Sequence, residues 1–250
     1  MDFSFLCKDD LTQTLVAGCL GTPGVSHTYL DTLLESLKNT FVLSISSLIL
    51  AIFLGVIVGT MRTLPNTSMT NCSFRTIGYI WVEVMRNIPL LVQVFLWYFV
   101  VPKIYPPAIN YSPILLITCA LGFFTSARIA EQVRSGIEAI SSGQRYAAMA
   151  MGFTTYQIYR YIILPRAMRT IMPPLTSEAM GIVKNSSIAF AVSINELMQF
   201  QYQTIEEMSH VYENYLIVTI LYIFIALFIF IIMTVIEQML KIPNFQTKGH

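Results

Sequence analysis

Long apolar runs alternate with short polar stretches along this chain. The runs have the length of a bilayer crossing, for which a helix needs about 20 apolar residues. Three charge-free runs reach it: Asn39 to Met61, Ile104 to Ala127 and Asn214 to Ile236. Two more are long enough but carry charge. One runs from near Ile77 to Val101 and holds Glu83 and Arg86. The other runs from near Thr170 to Asn195 and holds Glu178 and Lys184. The pattern predicts an all-α integral membrane protein of five transmembrane helices, with its termini on opposite sides.

The charges between the runs orient them. Arg62 to Thr76, Arg128 to Arg169 and the segment after Ile236 hold ten of the 15 Lys and Arg residues. The first 38 residues, the turn at Lys103 and the stretch Glu196 to Glu213 hold three: Lys8, Lys38 and Lys103. Cations collect on the cytoplasmic side, so the N-terminus is expected outside and the C-terminus in the cytoplasm. Tyr79 and Trp81 fall near one end of the second run, and Trp97 and Tyr98 near the other. Amphipathic rings settle at those depths, although ordinary packing explains them equally well.

Composition agrees. Hydrophobic residues make up 55% and charged residues 12%, against about 25% charged in soluble domains. A net charge of +1 excludes a strongly basic nucleic-acid binder. Cys7, Cys19, Cys72 and Cys119 lack metal-ligand spacing, and the three histidines are far apart. Cys7 and Cys19 could pair outside the cell, but free thiols are the expectation. Asp2, Asp9 and Asp10 open the chain with no basic stretch before an apolar run, so no cleavable signal peptide is expected. None of the six lysines follows a glycine, which removes the P-loop. HExxH and GxSxG are also absent. The chain is not expected to be an enzyme or to bind a cofactor.

One polar segment is unusual: "GQRYAAMAMGFTTYQIYRYIILP", Gly143 to Pro165. Ser141 with Gln144, and Thr154 with Gln157, have capping-box spacing. They predict helices over Ser142 to Met151 and Thr155 to Ile163, broken by Gly152 and ended by Pro165. Ala147, Ala148 and Ala150 permit close approach. Tyr156, Tyr159 and Ile163 give the second helix an apolar stripe. The result is a cytoplasmic elbow fit for a partner, or alternatively a helix lying on lipid.

The spacing of this elbow resembles the EAA loop of type I ABC-transporter permeases. That loop reads Glu-Ala-Ala, three residues, Gly, nine residues, Ile-x-Leu-Pro. Here Tyr146, Ala147 and Ala148 are followed at the same intervals by Gly152, Ile162, Leu164 and Pro165, with Tyr146 in place of Glu. "VEVMRNIPLLVQVFLWYFVVP", "ARIAEQVRSGIEAI" and "LPRAMRTIMPPLTSEAMGIVKNSSIA" are similar to the polar amino-acid importer subfamily, and to the membrane subunits of bacterial glutamate/aspartate importers. The resemblance implies a type I ABC permease domain over 36–240, after an extracytoplasmic segment 1–35 and before a cytoplasmic tail 241–250. It implies a bacterial inner-membrane permease whose loop is seated on an ATPase. The implied partners are two ATP-binding cassette subunits that hydrolyse ATP, a second permease (the same chain or a homologue), an extracytoplasmic amino-acid-binding protein and membrane lipid.

Ionisable groups inside a span usually face a bundle interior or water. Glu83, Arg86, Asn87, Leu90 and Gln93 fall within an arc of roughly 120° on one helix. This stripe lines a path, or else Glu83 and Arg86 form a structural pair. In the fourth run Ser177 and Lys184 share one face, and Glu178 and Asn185 another. Lys184, Asn185, Ser186 and Ser187 form a polar run inside a span. Pro89 is expected to bend the second helix, and Pro173 with Pro174 to break the fourth. Two other readings remain: a stand-alone secondary transporter or channel for small polar solutes, and a lipid-processing enzyme. No inverted repeat supports the first, and no nucleophile or metal cluster supports the second.

The charge bias generates a topology prediction. A reporter active only outside the cytoplasm is expected to work when fused after Lys103 or Gln203 and to fail after Gly143. The reverse pattern overturns the orientation.

Overall fold

A computed structural model describes residues 3–16, 19–21, 27–65, 69–208 and 210–240. The expected tail, 241–250, lies outside them. The described chain is helical: α1 Tyr29–Thr63, α2 Met69–Asn87, α3 Leu90–Phe95, α4 Val101–Ile104, α5 Pro113–Glu138, α6 Ser142–Ala150, α7 Thr155–Ile158, α8 Leu164–Asn185, α9 Leu197–Met208 and α10 Val211–Leu240. Among the described residues, α1, α5 and α10 are each long and apolar enough to cross a membrane. A fourth crossing requires α2 and the stretch Leu90–Ile104 to count as one broken span. Helix α8 is too polar to pass on composition, so five crossings remain a proposal.

Several expected boundaries move. Helix α1 begins ten residues before Asn39, and α5 starts at Pro113 rather than Ile104 and runs on to Glu138. The stretch expected as a loop after Arg128 is thus helical at first. Ile129, Ala130, Val133 and Ile137 show why: they recur at helical spacing and are all buried. The expected loop Glu196–Glu213 contains α9, anchored by buried Leu197, Phe200 and Thr204.

The chain divides into two compact units. One takes residues up to Leu50, Ile88–Gly122 and Gly181–Leu227; the other takes Ala51–Asn87, Phe123–Met180 and residues from Phe228 on.

In the first unit, Leu43, Val94, Ile117, Leu121, Ala189 and Ile194 form a buried core, with Trp97 and Tyr98 packed on it. Beside it, α1 carries a hydroxyl stripe: Ser36, Thr40, Ser44 and Ser47 repeat every three to four residues and are buried. The stripe meets irregular backbone. After α8 a 3-10 helix, Ser186–Val192, ends at Ser193 with a left-handed φ of 55°. Ser36 Oγ donates to Asn195 Oδ1 (2.6 Å), Asn39 Nδ2 donates to Asn195 O (2.8 Å), and Leu197 N–H donates to Thr40 Oγ1 (3.1 Å). Buried non-helical backbone needs its polar groups satisfied, and Asn39 and Thr40 of α1 do so here.

The N-terminal segment closes on itself. Asp9 accepts N–H groups from Leu11, Thr12 and His27, and Val16 N–H reaches Cys7 O at 2.8 Å. That turn brings Cys7 and Cys19 together as a disulfide, which corrects the expectation of free thiols. Tyr29 Oη donates to Glu207 Oε2 (2.5 Å) and Phe5 stacks on His210, fastening the segment to the end of α9.

In the second unit, α1 and α5 pack at glycine contact. A Cβ on Gly55 would sit 2.6 Å from Ile129 Cγ2, and one on Gly59 would sit 2.6 Å from Ala130 O. Small residues four apart allow this approach between helices. Val58, Val82, Ala127 and Ala130 fill the adjoining core. Trp81 donates Nε1–H to Ser126 Oγ (3.1 Å) and meets Phe123 edge-on, so its position is explained by packing.

Glu196 starts α9, accepting N–H groups from Met198 and Gln199 at 2.9 Å and the Tyr222 hydroxyl at 2.8 Å. Its burial raises its pKa to about 7, against the opposing pull of those three donors. The folded protein therefore prefers the neutral acid. The stability this group contributes is complete below pH 4.5 and is lost as pH rises through about 7. Thermal unfolding of the purified protein is expected to show a fall in Tm over that window, and Glu196→Gln is expected to flatten that fall. An unchanged slope in the variant assigns the pH dependence elsewhere.

Candidate functional site

The elbow is built from local rules. Thr154 accepts the Gln157 N–H (3.3 Å) while Gln157 Oε1 accepts the Thr154 N–H (2.8 Å), a complete capping box. Ser141 is the N-cap of α6 but makes no side-chain cap, which corrects the first expected box. At the other end of α6, Gly152 N–H donates to Met149 O (2.9 Å) and Phe153 N–H to Ala148 O (3.1 Å). Together these are the two bonds of a Schellman cap, with Gly152 at φ 82°. Space around Gly152 is open, so it is the backbone angle that requires glycine.

The second elbow helix differs from expectation. Helix α7 ends at Ile158, a π turn spans Tyr159–Ile163, and α8 begins at Leu164. Pro165 does not end the helix. The wide turn accommodates its missing N–H and its ring, and proline is tolerated in the first turn of α8. Tyr159 and Ile163 are buried while Tyr156 is 73% exposed, so the expected stripe splits. Tyr159 Oη donates to Thr63 O at 2.5 Å, and Arg145 lies over the Tyr159 ring. Ala148 and Ile158 complete the anchored face. Outward stand Tyr146, 65% exposed, with Ala147, Met149, Met151 and Tyr156. Ile162 and Leu164 are half-buried, and Pro165 is exposed. Residues 139–177 contain no carboxylate but include Arg145, Arg160, Arg166 and Arg169. None of these four makes an ion pair among the described residues. The elbow is therefore an ordered, aromatic and cationic knob.

The candidate path residues divide between the two units: Glu83, Arg86, Asn87, Ser177 and Glu178 in the second, Gln93, Lys184, Asn185 and Ser186 in the first. Helix α2 stops at Asn87 and α3 restarts at Leu90 with Pro89 before it, so Glu83, Arg86, Asn87 and Gln93 do not form one stripe. Glu83 accepts from Asn87 Nδ2. Arg86 reaches Glu131 at 3.6 Å, so the alternative of a Glu83–Arg86 pair does not form. Glu131 also takes Arg62 and, at 2.9 Å, Arg134. Arg86, Glu131, Gln132 and Thr170 line a cavity of about 650 Å³. Glu178 is buried and held by Arg128 Nε at 3.0 Å and Gln132 Nε2 at 3.1 Å, so it is not an open path residue. Gln93 is buried and donates to Ile88 O. Ser186 is buried against Val183 O, while Asn185 is half-buried. Ser177 and Lys184 are exposed on α8. Pro173 and Pro174 lie inside that helix without breaking it. Both rings point outward, and buried Ile171, Met172, Leu175 and Thr176 hold the turn on either side.

A family described as the binding-protein-dependent transport system inner membrane component matches residues 51–242. The chain belongs to this family. It is 37% identical over 232 residues to the glutamate/aspartate import permease GltJ of Escherichia coli K12, covering 89% of this chain and 92% of that one. It is 36% identical over 202 residues to the probable glutamine ABC transporter permease GlnM of Bacillus subtilis, covering 81% and 86%. Its fold matches the structure of an amino acid ABC transporter with histidines, with a TM-score of 0.70, 25% identity and coverage of 84% of this chain and 95% of that one. The MetNI methionine ABC transporter in an inward-facing form shares the fold alone, with a TM-score of 0.70 and 20% identity, covering 85% and 98%. The permease is thus an inner-membrane component of an amino-acid ABC transporter, and the stand-alone carrier is excluded.

Sequence reasoning missed Glu131 of the permease because its helix was taken for a loop. The helical spacing of Ile129, Val133 and Ile137 was the available signal. The ion pairs predict unequal effects. Glu131→Ala strips three arginines of a shared partner and is expected to cost about 3 kcal/mol. Arg86→Ala removes a long contact from a side chain 51% exposed, expected to cost less than about 1 kcal/mol. Denaturant unfolding of the two variants measures both, and equal losses refute the assignment.

Proposed function

We propose that this permease imports acidic amino acids and that the elbow over Ser142–Ile163 transmits ATP hydrolysis to it. In this reading it crosses the inner membrane five times, with its N-terminus outside. Two ATP-binding cassette subunits hydrolyse ATP, a second homologous permease completes the path, and an extracytoplasmic binding protein delivers cargo. The chain itself holds no cofactor. The likeness to a glutamate/aspartate import permease over nine-tenths of the chain carries the cargo assignment.

Other observations support the arrangement. The Cys7–Cys19 disulfide suits an oxidising compartment at the N-terminus. The cation bias supports a cytoplasmic elbow. The knob presents Tyr146, Met149 and Tyr156 beside unpaired arginines, so the ATPase surface that receives it should combine an apolar groove with carboxylates. Tyr146 replaces the acid common in the resembling loop, and its ring seats by burial rather than by an ion pair.

Uptake of radiolabelled L-glutamate by a strain lacking its own acidic amino-acid importers, and carrying this permease with its partner genes, tests the cargo. Uptake of glutamine in preference to glutamate overturns it. Gly152→Asp tests the elbow. A side chain at φ 82° costs roughly 1–2 kcal/mol and disturbs the cap that shapes the knob. Membrane insertion is expected to persist while uptake and ATPase co-purification fall several-fold. Normal uptake with unchanged assembly refutes the coupling role.

A further inference from the structure

We infer that the Cys7–Cys19 disulfide is the catch of a redox-sensitive clamp by which the N-terminal segment holds the C-terminal end of α9. All of its parts lie within the first unit. Cys7 closes a short 3-10 turn, Ser4–Cys7, that carries Phe5. Phe5 is fully buried, and its ring stacks on His210 with centroids 5.0 Å apart. On the other side of the bond, Thr28 Oγ1 donates to Cys19 O (2.9 Å) and Gly21 N–H donates to Asp31 Oδ2 (2.8 Å), which joins the loop to the first turn of α1. Tyr29 N–H donates to Lys8 O (3.1 Å), and the Tyr29 hydroxyl reaches Glu207 on α9. The disulfide therefore sits between two contacts on the junction of α9 and α10, one from each side of the loop that it closes. The start of α9 is fixed separately, by Glu196 and Thr40.

Two observations make the bond a catch. Cys19 and Gln13 are held at left-handed φ of 60° and 54°. A residue with a side chain keeps that conformation only where its surroundings hold it. The loop itself is held by single backbone bonds, Asp9 N–H to Thr14 O (2.9 Å) and Val16 N–H to Cys7 O (2.8 Å), with Leu11 90% exposed at its tip. Such a segment opens more readily than a packed helix, so a covalent link across 12 positions decides whether it stays closed. Both cysteines are half-buried, within reach of a small thiol. The reductant is a dithiol. One of its thiolates attacks a sulfur of the disulfide, forming a mixed disulfide and releasing one cysteine. Its second thiolate displaces the other cysteine. The dithiol ends as a disulfide, oxidised by two electrons, and the two protons it lost are taken up by Cys7 and Cys19 as thiols.

This inference needs neither the cargo nor the membrane orientation proposed above. The assembled complex, purified through a tag on this permease, is compared with and without dithiothreitol, and amide hydrogen exchange is read by mass spectrometry. Reduction is expected to speed exchange in 7–16 at least roughly tenfold and exchange in 203–208 several-fold, with α5 unchanged. Reoxidation with oxidised glutathione is expected to restore both. Unchanged exchange in the loop overturns the catch. A faster loop with an unchanged α9 overturns the clamp, as does equal acceleration in α5, which marks general loosening. The double variant Cys7→Ser, Cys19→Ser is expected to match the reduced wild type and to ignore dithiothreitol; a further response to the reductant overturns the assignment to this pair. Tyr29→Phe keeps the disulfide and removes the hydroxyl from Glu207. Exchange in 203–208 is expected to rise in the oxidised variant while the loop stays protected, and an unchanged α9 overturns the link through Tyr29.

Discussion

Glu131 is the point on which the second unit depends. One carboxylate on α5 takes guanidinium groups from α1, α2 and its own helix. In a chain this apolar, a cation inside a helical bundle needs an anion or water. Sharing one acid among three arginines meets that need with few buried carboxylates; through Arg62 it ties α1 to α5, with Arg86 of α2 a longer and more exposed contact. The glycine contacts at Gly55 and Gly59 act with it. They bring α1 close enough to α5 for Arg62 to reach Glu131. Packing sets the distance between these helices, and charge sets their register.

The same constraint appears in neutral form in the first unit. Irregular backbone after α8 would leave N–H and C=O groups unsatisfied. Asn39 takes up the Asn195 carbonyl and Thr40 the Leu197 N–H, while Ser36 holds the Asn195 side chain. Thr40 Oγ1 accepts from Leu197 N–H while donating to Ser36 O of its own helix. A strictly apolar α1 would insert into a membrane equally well. It could not hold Asn195 and the start of α9 in place.

The elbow was legible in the sequence because its determinants are local. Thr154 and Gln157 are three residues apart, and Gly152 sits directly after the helix it caps. The ion pairs were not legible, because Arg62 and Glu131 are 69 residues apart and nothing near either names the other. A local rule even misled: Glu83 and Arg86 have the spacing of a helical pair, but Glu131 offers Arg86 a carboxylate already concentrated among cations. The prolines failed for a related reason. Pro165, Pro173 and Pro174 break a helix only when nothing else holds it, and here a π turn and buried neighbours do.

Matching of polar groups is thus the device common to both units. Glu131 and Glu178 match arginines across long sequence distances, and Thr40 matches a single backbone N–H of the irregular stretch. Lys184 stands exposed on α8, where water meets the need of an ammonium that no described carboxylate pairs. Burial therefore decides which charged groups of this chain must find a partner within the protein.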